Sequence, residues 1–344
     1  MEKNQYIKIA VVILNYNGRK HLETFLPSVV KYSINSEVAV YVADNGSNDD
    51  SLIFLKTNYP SINLILLDKN YGFSEGYNKA LKEINSKYFI LLNSDVEVTE
   101  NWILPIIDFM DKNEKIAVTA PKLRAFYDKE YFEYAGAAGG YIDRFGYPFC
   151  KGRIINNLEK DNGQYDDITE VFWASGACLF VKSELYNKAG GLDSGFFAHM
   201  EEIDLCWRLK NQGYQIFNYN KVHVFHLGGG SLPKENPFKL FLNYRNNLLL
   251  LLKNLPKEHL YKTIFIRMIL DGISASIYLL TFKFSFFFAV LKAHFAFYKL
   301  FSKYKKIRKN INVVKSNHNE IYKKSIVFQY IIKKKKIFSN LKFQ

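Results

Sequence analysis

The hydrophobic positions of the first 120 residues fall into short β-rich runs separated by stretches of helical period. Five runs read as strands: Ile7 to Leu14, Val38 to Ala43, Ile62 to Leu67, Tyr88 to Leu92 and Ile116 to Ala120. Strands alternating with helices predict parallel pairing through crossover connections, and open sheets of that kind collect ligands beyond the carboxyl ends of their strands. The first four strands each run into a polar, turn-forming cluster. These are Asn15-Tyr16-Asn17-Gly18, Asp44-Asn45-Gly46-Ser47, Asn70-Tyr71-Gly72-Phe73 and Asn93-Ser94-Asp95. Any one of them is ordinary turn chemistry. Four in succession on one predicted sheet edge point to a ligand site.

The pattern changes after Pro121. An irregular segment rich in Gly and Tyr leads to Gly176–Val181, which reads as a buried strand. The acidic stretch His199-Met200-Glu201-Glu202-Ile203-Asp204 then opens a helix that Gly213 should stop, and a strand from Val222 to His226 precedes Gly228-Gly229-Gly230. From Pro237 the chain is helical and increasingly apolar. Between Gly272 and Leu291 it carries one charge, Lys283, which would cost about 2.5–3.5 kcal/mol at the centre of a spanning helix. Asp271, Lys292 and His294 flank the stretch closely. It reads best as an amphipathic or re-entrant helix in a membrane interface, with a span or a buried helix as alternatives. The predicted organisation is a catalytic domain over 1–235, divided into halves 1–120 and 121–235, followed by a helical, membrane-associating region over 236–344.

A chain of 344 residues that is 48% hydrophobic has ample material for a core. Its three cysteines, Cys150, Cys178 and Cys206, show no metal-ligand spacing and fit a reducing compartment. The opening residues are polar and the run Ile9 to Leu14 is too short for a signal peptide core, so a cytoplasmic protein is expected. The net charge of +14 suggests nucleic acid until it is located along the chain. Fourteen Lys or Arg against Glu320 alone, between Lys299 and Gln344, account for +13 of it. A basic tail behind an apolar stretch suits anionic lipid headgroups, at roughly 1 kcal/mol per basic side chain. Nucleic acid is not an expected partner, because no recognisable module offers an aromatic stacking platform.

Several side chains have the chemistry for a reaction. Asp44, at a strand end, can accept hydrogen bonds from a nucleoside or stabilise its own turn. Asp95 follows a very apolar strand, where a carboxylate needs a partner; a hard divalent cation, Mg²⁺ or Mn²⁺, is the natural one. Glu201, Glu202 and Asp204 crowd a helix start, either as favourable charge on the macrodipole or as the source of a general base whose pKa burial can raise. His226, before the glycine run, suits a metal or pyrophosphate contact as well as a structural role. Arg245 can pair with phosphate or lie along an apolar helix.

Taken in order, Val11-Val12-Ile13-Leu14-Asn15-Tyr16-Asn17-Gly18, Ala43-Asp44-Asn45-Gly46-Ser47, Asn70-Tyr71-Gly72-Phe73 with Asn78, and Leu91-Leu92-Asn93-Ser94-Asp95 resemble the family 2 glycosyltransferases. The likeness continues through Ser175-Gly176-Ala177, Gly190-Gly191-Leu192-Asp193, Glu201 to Leu209, His226 to Ser231 and Arg245-Asn246. It implies the Rossmann-like A-type glycosyltransferase fold, an α/β architecture with a mostly parallel sheet. It also implies a nucleoside-diphosphate-sugar donor held by Asn15, Tyr16, Asn17, Asp44, Gly46, Asn70, Gly72, Phe73, Asn78, Asn93, Ser94, Asp95, Gly176 and Arg245. A divalent metal is implied at Asp95 and His226, with Asn93 standing where many members have the first Asp of a DXD motif. The acidic pair of the family falls on Glu201-Glu202, which puts the base of an inverting displacement at Glu202, with Glu201 and Asp204 beside it. The branch it looks most like is the bacterial rhamnosyltransferases of cell-surface polysaccharide assembly. That branch implies a glycan or lipid-linked acceptor at the cytoplasmic face of the inner membrane. A subunit that binds nucleotide-sugar but has lost catalysis is the alternative.

Overall fold

The computed structural model describes residues 6–228, 236–311, 313–314 and 316–343. The alternation read from the first 120 residues is realised. The strand β1 (Ile7–Asn15) is followed by α1 (Arg19–Ser33), β2 (Val38–Asp44), α2 (Ser51–Asn58), β3 (Asn63–Leu66), α3 (Gly72–Lys82) and β4 (Ser86–Asn93). In β1 and β4 the central residues are buried almost without interruption, as expected for strands covered by helices on both faces. After the short β5 (Val96–Glu97) come α4 (Leu104–Asp111) and β6 (Ile116–Ala125).

The irregular segment folds into a small sheet of β7 (Gly140–Asp143), β8 (Pro148–Cys150), β9 (Arg153–Ile154) and β10 (Asn157–Leu158). The chain then returns to the main sheet with β11 (Ile168–Glu170) and β12 (Cys178–Lys182), passes through α5 (Ser183–Lys188) and α6 (Glu201–Asn211), and re-enters the sheet as β13 (Gln215–His226). Among the described residues the main sheet runs β11-β13-β6-β12-β4-β1-β2-β3, with β5 beside β13. The β1–β4 half is parallel, as expected. Beyond it the sheet is mixed, because β12 lies antiparallel to both β4 and β6. One register matters most for the site. Asn15 lies opposite Asp44, and Leu14 opposite Asn93, so three of the polar clusters end on one line.

The C-terminal region begins at Pro237 with α7 (Pro237–Asn254), continues as α8 (Lys257–Leu280) and α9 (Phe284–Lys309), and ends with β14 (Ile321–Tyr322) and α10 (Ile326–Ile331). Two expectations change here. The apolar stretch 272–291 is not one helix: Phe282 adopts a left-handed φ of 57° and breaks it into the α8–α9 hairpin. The basic tail, expected as part of a helical, lipid-facing region, also contributes a strand to the protein. Its strand β14 pairs in parallel with β7, and Tyr322, Ile326, Phe338 and Leu341 are buried in the same apolar cluster as Tyr141 and Phe149. Residues 236–344 therefore belong in part to the sheet of the 121–235 half.

Candidate active site

The site forms where β1, β2 and β4 end. Asp44 is 2% exposed and both its oxygens are engaged: Oδ2 accepts from Asn15 Nδ2 at 3.0 Å and Oδ1 from the Ser47 backbone N–H at 2.9 Å. Asn17, at a left-handed φ of 49°, ties the neighbouring loop in through its own N–H to Ser47 Oγ and the Asn48 N–H to its Oδ1. Tyr16 stands exposed at the rim. The third cluster is knitted to the second, because Asn45 donates to Asn70 Oδ1 and to the Gly72 carbonyl and accepts from the Tyr71 N–H. Gly46 has φ +74°, and a Cβ there would stand 2.5 Å from Lys69 Cα.

Gly72 is constrained from the other side. It has φ +74°, and a Cβ would enter the Phe197 ring at 2.5 Å. The Phe197 carbonyl accepts from the Phe73 and Ser74 N–H groups at the start of α3. The loop bearing Phe197 is strained, with Phe197, His199 and Met200 all at positive φ, a conformation that costs energy and persists only when its surroundings fix it. Arg245 and Asn246 fix it: Arg245 donates to the carbonyls of Gly195 and Phe196, and Asn246 to those of Phe196, Ala198 and His199. Arg245 is thus directed at this loop rather than at a phosphate. Asn78 likewise moves from the donor-contact set to the supporting set, since its amide is used by the backbone of Leu192 on both sides and by the Tyr186 hydroxyl.

Across the cleft, Asp95 and His226 meet, both nearly buried, with Asp95 Oδ1 3.2 Å from His226 Nε2. Asn93 Nδ2 is 3.5 Å from the same nitrogen. Behind the ring stands Glu133, with Oε1 3.5 Å from His226 Nδ1. Burial alone would strip the imidazole of its proton, but Asp95 and Glu133 outweigh it and push His226 up to about 10. Burial raises Asp95 too, and His226 more than offsets this, holding it below the usual carboxylate range. Glu133 gave no signal in the sequence. It is a single acid in an aperiodic stretch, and only the fold brings it to His226.

The acidic pair opens α6. Glu202 lies beside Gly176, whose Cβ would stand 3.5 Å from Glu202 Cβ and 3.8 Å from the Phe73 ring. Burial pushes Glu202 up to about 7, and burial together with Glu202 raises Glu201 well above its ordinary value. Each has a buried Oε2 with no hydrogen-bond partner among the described residues. Asp204 behaves differently. It is fully buried and held by Arg208 at 2.7 Å, Lys253 at 2.8 Å and Asn254 at 2.8 Å. Burial raises it, those cations outweigh that, and its pKa is lowered. Asp204 is therefore a buttress of the α6–α7 contact and not a candidate base, which corrects the expectation for it. Gly229, Gly230 and Ser231 lie outside the described residues.

Asp95 supplies an oxygen donor, and His226, once its imidazole gives up the proton that Asp95 and Glu133 hold on it, supplies a nitrogen donor at the same point. Among the described residues no closed cage of three or more His, Cys, Asp or Glu side chains accompanies them. Two protein ligands with open positions fit a Mg²⁺ or Mn²⁺ ion that completes its shell with water and substrate phosphate.

Residues 10–176 match the family model for glycosyl transferase family 2. An N-acetylglucosaminyl-diphospho-decaprenol L-rhamnosyltransferase of Mycobacterium tuberculosis is 24% identical over 261 residues, which cover 71% of this chain and 83% of that protein. Rhamnosyltransferase WbbL of Escherichia coli (strain K12) is 22% identical over 227 residues, covering 63% of this chain and 83% of WbbL. Among solved structures, the mannosyltransferase PcManGT from Pyrobaculum calidifontis, in complex with GDP-Man and Mn²⁺, matches with a TM-score of 0.51 at 12% identity over 89% of this chain and 85% of that one. GalNAc-T7 with UDP, GalNAc and Mn²⁺ matches at 0.56 and 16% identity over 71% of this chain, which spans about half of GalNAc-T7, 47%. The last two likenesses concern the fold, which is A-type. With the ordered motifs, the family match and this fold in place, residues 10–176 carry the glycosyl transferase family 2 domain, and the protein is a glycosyltransferase.

Proposed function

We propose that this enzyme transfers a sugar, with rhamnose the first candidate, from a nucleoside diphosphate to a hydroxyl of a lipid-linked cell-surface glycan, inverting the anomeric configuration, at the cytoplasmic face of the membrane. The observation that carries the chemistry is Glu202, a half-buried side chain whose Oε2 is buried and without a hydrogen-bond partner among the described residues, with a pKa pushed up to about 7, beside Gly176 and Phe73. A base must combine availability at working pH with affinity for a proton, and a pKa near 7 balances the two. The names of the relatives support rhamnose and a diphospho-polyprenol acceptor.

In this reading Asp44, Asn15 and Asn17 form the floor for the nucleoside, and the Gly72 turn lets the backbone approach the donor. Glu202 takes the proton from the acceptor hydroxyl as its oxygen attacks the anomeric carbon on the face opposite the leaving diphosphate, and Glu201 beside it keeps the environment reluctant to ionise. Asp95 and a deprotonated His226 would hold a divalent cation, whose charge would offset that gathering on the diphosphate. Glu133 orients the His226 ring from behind, as carboxylates do for metal-binding imidazoles.

The test is a thermal-shift screen of nucleoside diphosphates with Mn²⁺, followed by diphosphate release from the stabilising donor with a polyprenyl-diphosphate-sugar acceptor. Stabilisation by thymidine diphosphate above the uridine and guanosine analogues, with acceptor-dependent release, is the expected result. Donor binding without any release across the panel would favour the catalytically inactive subunit.

A further inference from the structure

The C-terminal hairpin exposes apolar surface that the transferase chemistry does not use. Among the described residues α8 and α9 are the two helices long and apolar enough to cross a membrane, yet most of that surface is not covered by protein. Along α8, Phe265, Ile269, Ile273 and Ile277 recur every fourth residue and are all exposed. Along α9, Phe284, Phe288, Leu291, Phe295 and Tyr298, spaced alternately four and three residues apart, are exposed as well. Each row is a continuous helix face. At the turn, Leu280 is 78% and Phe282 79% exposed.

The opposite faces are committed to the enzyme. Leu260, Ile264 and Arg267 of α8 are buried, and Arg267 donates to the Phe145 carbonyl, Asn247 and Asp271. His294 of α9 meets Asp271 at 3.3 Å, and Tyr244 of α7 donates to Ser274. The C-terminal half of α9 is anchored by Phe297 and Tyr304, the latter donating to Asp193 at 3.1 Å. Of α8, the segment beyond Ala275 is free of the domain. From Ser276 to the end of α8 at Leu280 the helix is about 8 Å long at 1.5 Å per residue, against a hydrocarbon core of about 30 Å. The free part reaches into one leaflet and cannot cross two.

Resting on the reading that the enzyme works at a membrane, we infer that the α8–α9 hairpin is a monotopic foot: its turn, Leu280 to Phe284, and the two exposed rows enter the headgroup–acyl boundary of one leaflet. A lipid bilayer is the occupant that the charge pattern fits. Lys262, Lys283, Lys292 and Lys299 punctuate the apolar rows, and Lys303, Lys305, Lys306 and Lys309 follow on α9. A lysine at the turn opposes deep burial but suits the boundary, where its stem lies along acyl chains and its ammonium reaches the headgroups. An apolar partner protein or a second copy would leave these lysines facing apolar surface.

The test uses the full chain and vesicles of phosphatidylcholine with and without 30% phosphatidylglycerol, in a co-sedimentation titration. The inference expects binding to the mixed vesicles, and at least tenfold weaker binding for Phe282→Asp/Phe284→Asp with an unchanged melting temperature, since both side chains are exposed. Phe282→Trp should shift its emission to the blue on binding and be quenched by lipids brominated near the headgroup more than by those brominated near the bilayer centre. No vesicle binding by the parent protein would defeat the membrane reading together with this inference. Equal binding by parent and double variant would defeat the inference alone and leave the membrane reading to the basic tail. Deepest quenching at the bilayer centre, or a concentration-dependent dimer abolished by the double variant, would also overturn it.

Discussion

Asp95 and His226, 131 residues apart in the chain, meet at 3.2 Å where two different strands end, and the carboxylate of Glu133 holds the ring from the other side. Removing Glu133 should therefore act through His226. Glu133→Gln is expected to weaken Mn²⁺ affinity in the presence of pyrophosphate by about 10–100-fold, the range for second-sphere carboxylates. The loss of the free-ion resonance signal measures this directly. In a His226→Ala background the same change should add little. Full additivity would remove Glu133 from this role.

Glu202→Gln should lower the rate of transfer by at least 10²-fold, the lower end for general-base catalysis, with nucleotide affinity nearly unchanged. In the parent enzyme the base must be unprotonated, so kcat should rise with pH and level off above about 7. Stability runs the other way. A carboxyl raised in the folded state binds its proton there more tightly than in the unfolded chain, so its contribution is present at low pH and is lost as pH rises through about 7. The Gln variant should accordingly melt above the parent at pH 8, with the difference fading towards pH 4.

Lys253 bridges Asp193 at 2.6 Å and the fully buried Asp204 at 2.8 Å. Lys253→Met leaves both carboxylates short of a cation and is expected to cost about 3–5 kcal/mol in urea denaturation, as for other broken buried pairs. An Asp204→Asn change should also destabilise the fold while preserving the pH dependence of turnover. If it shifted the pH profile instead, Asp204 would belong with the acidic pair.

Gly72 and Phe197 interlock, so Gly72→Ala should weaken donor binding through a 2.5 Å collision with the ring. Phe197→Ala in the same chain should recover the steric part. It would leave the left-handed backbone penalty, roughly 1–2 kcal/mol. Isothermal titration with the stabilising nucleoside diphosphate separates the two contributions.

The parallel half of the fold and the line of polar turns were legible because each strand is long enough to show its run and each turn carries its own chemistry. The supporting roles were not. Asn78 and Arg245 have the groups to meet a donor, but partners distant in sequence, Leu192 and the 195–196 carbonyls, take them first. Asp204 and Glu202 are both acids of α6, and it is Lys253 and Asn254 of α7 that claim Asp204. The strands β7 to β10 span two to four residues each, too few for alternation to register. The break at Phe282 carries no glycine or proline to announce it, and apolar residues flank it on both sides.

Pairing of β14 with β7 has a consequence for biosynthesis. Phe338 donates its N–H to Glu159 across a separation of 179 residues, and Ile326 to Asp143 across 183. At about 5–20 residues per second, the ribosome needs roughly 10–35 seconds after β7 to deliver these partners. The α8–α9 hairpin leaves the exit tunnel in that interval. Nascent chains must therefore present the foot to their surroundings before the small sheet can close.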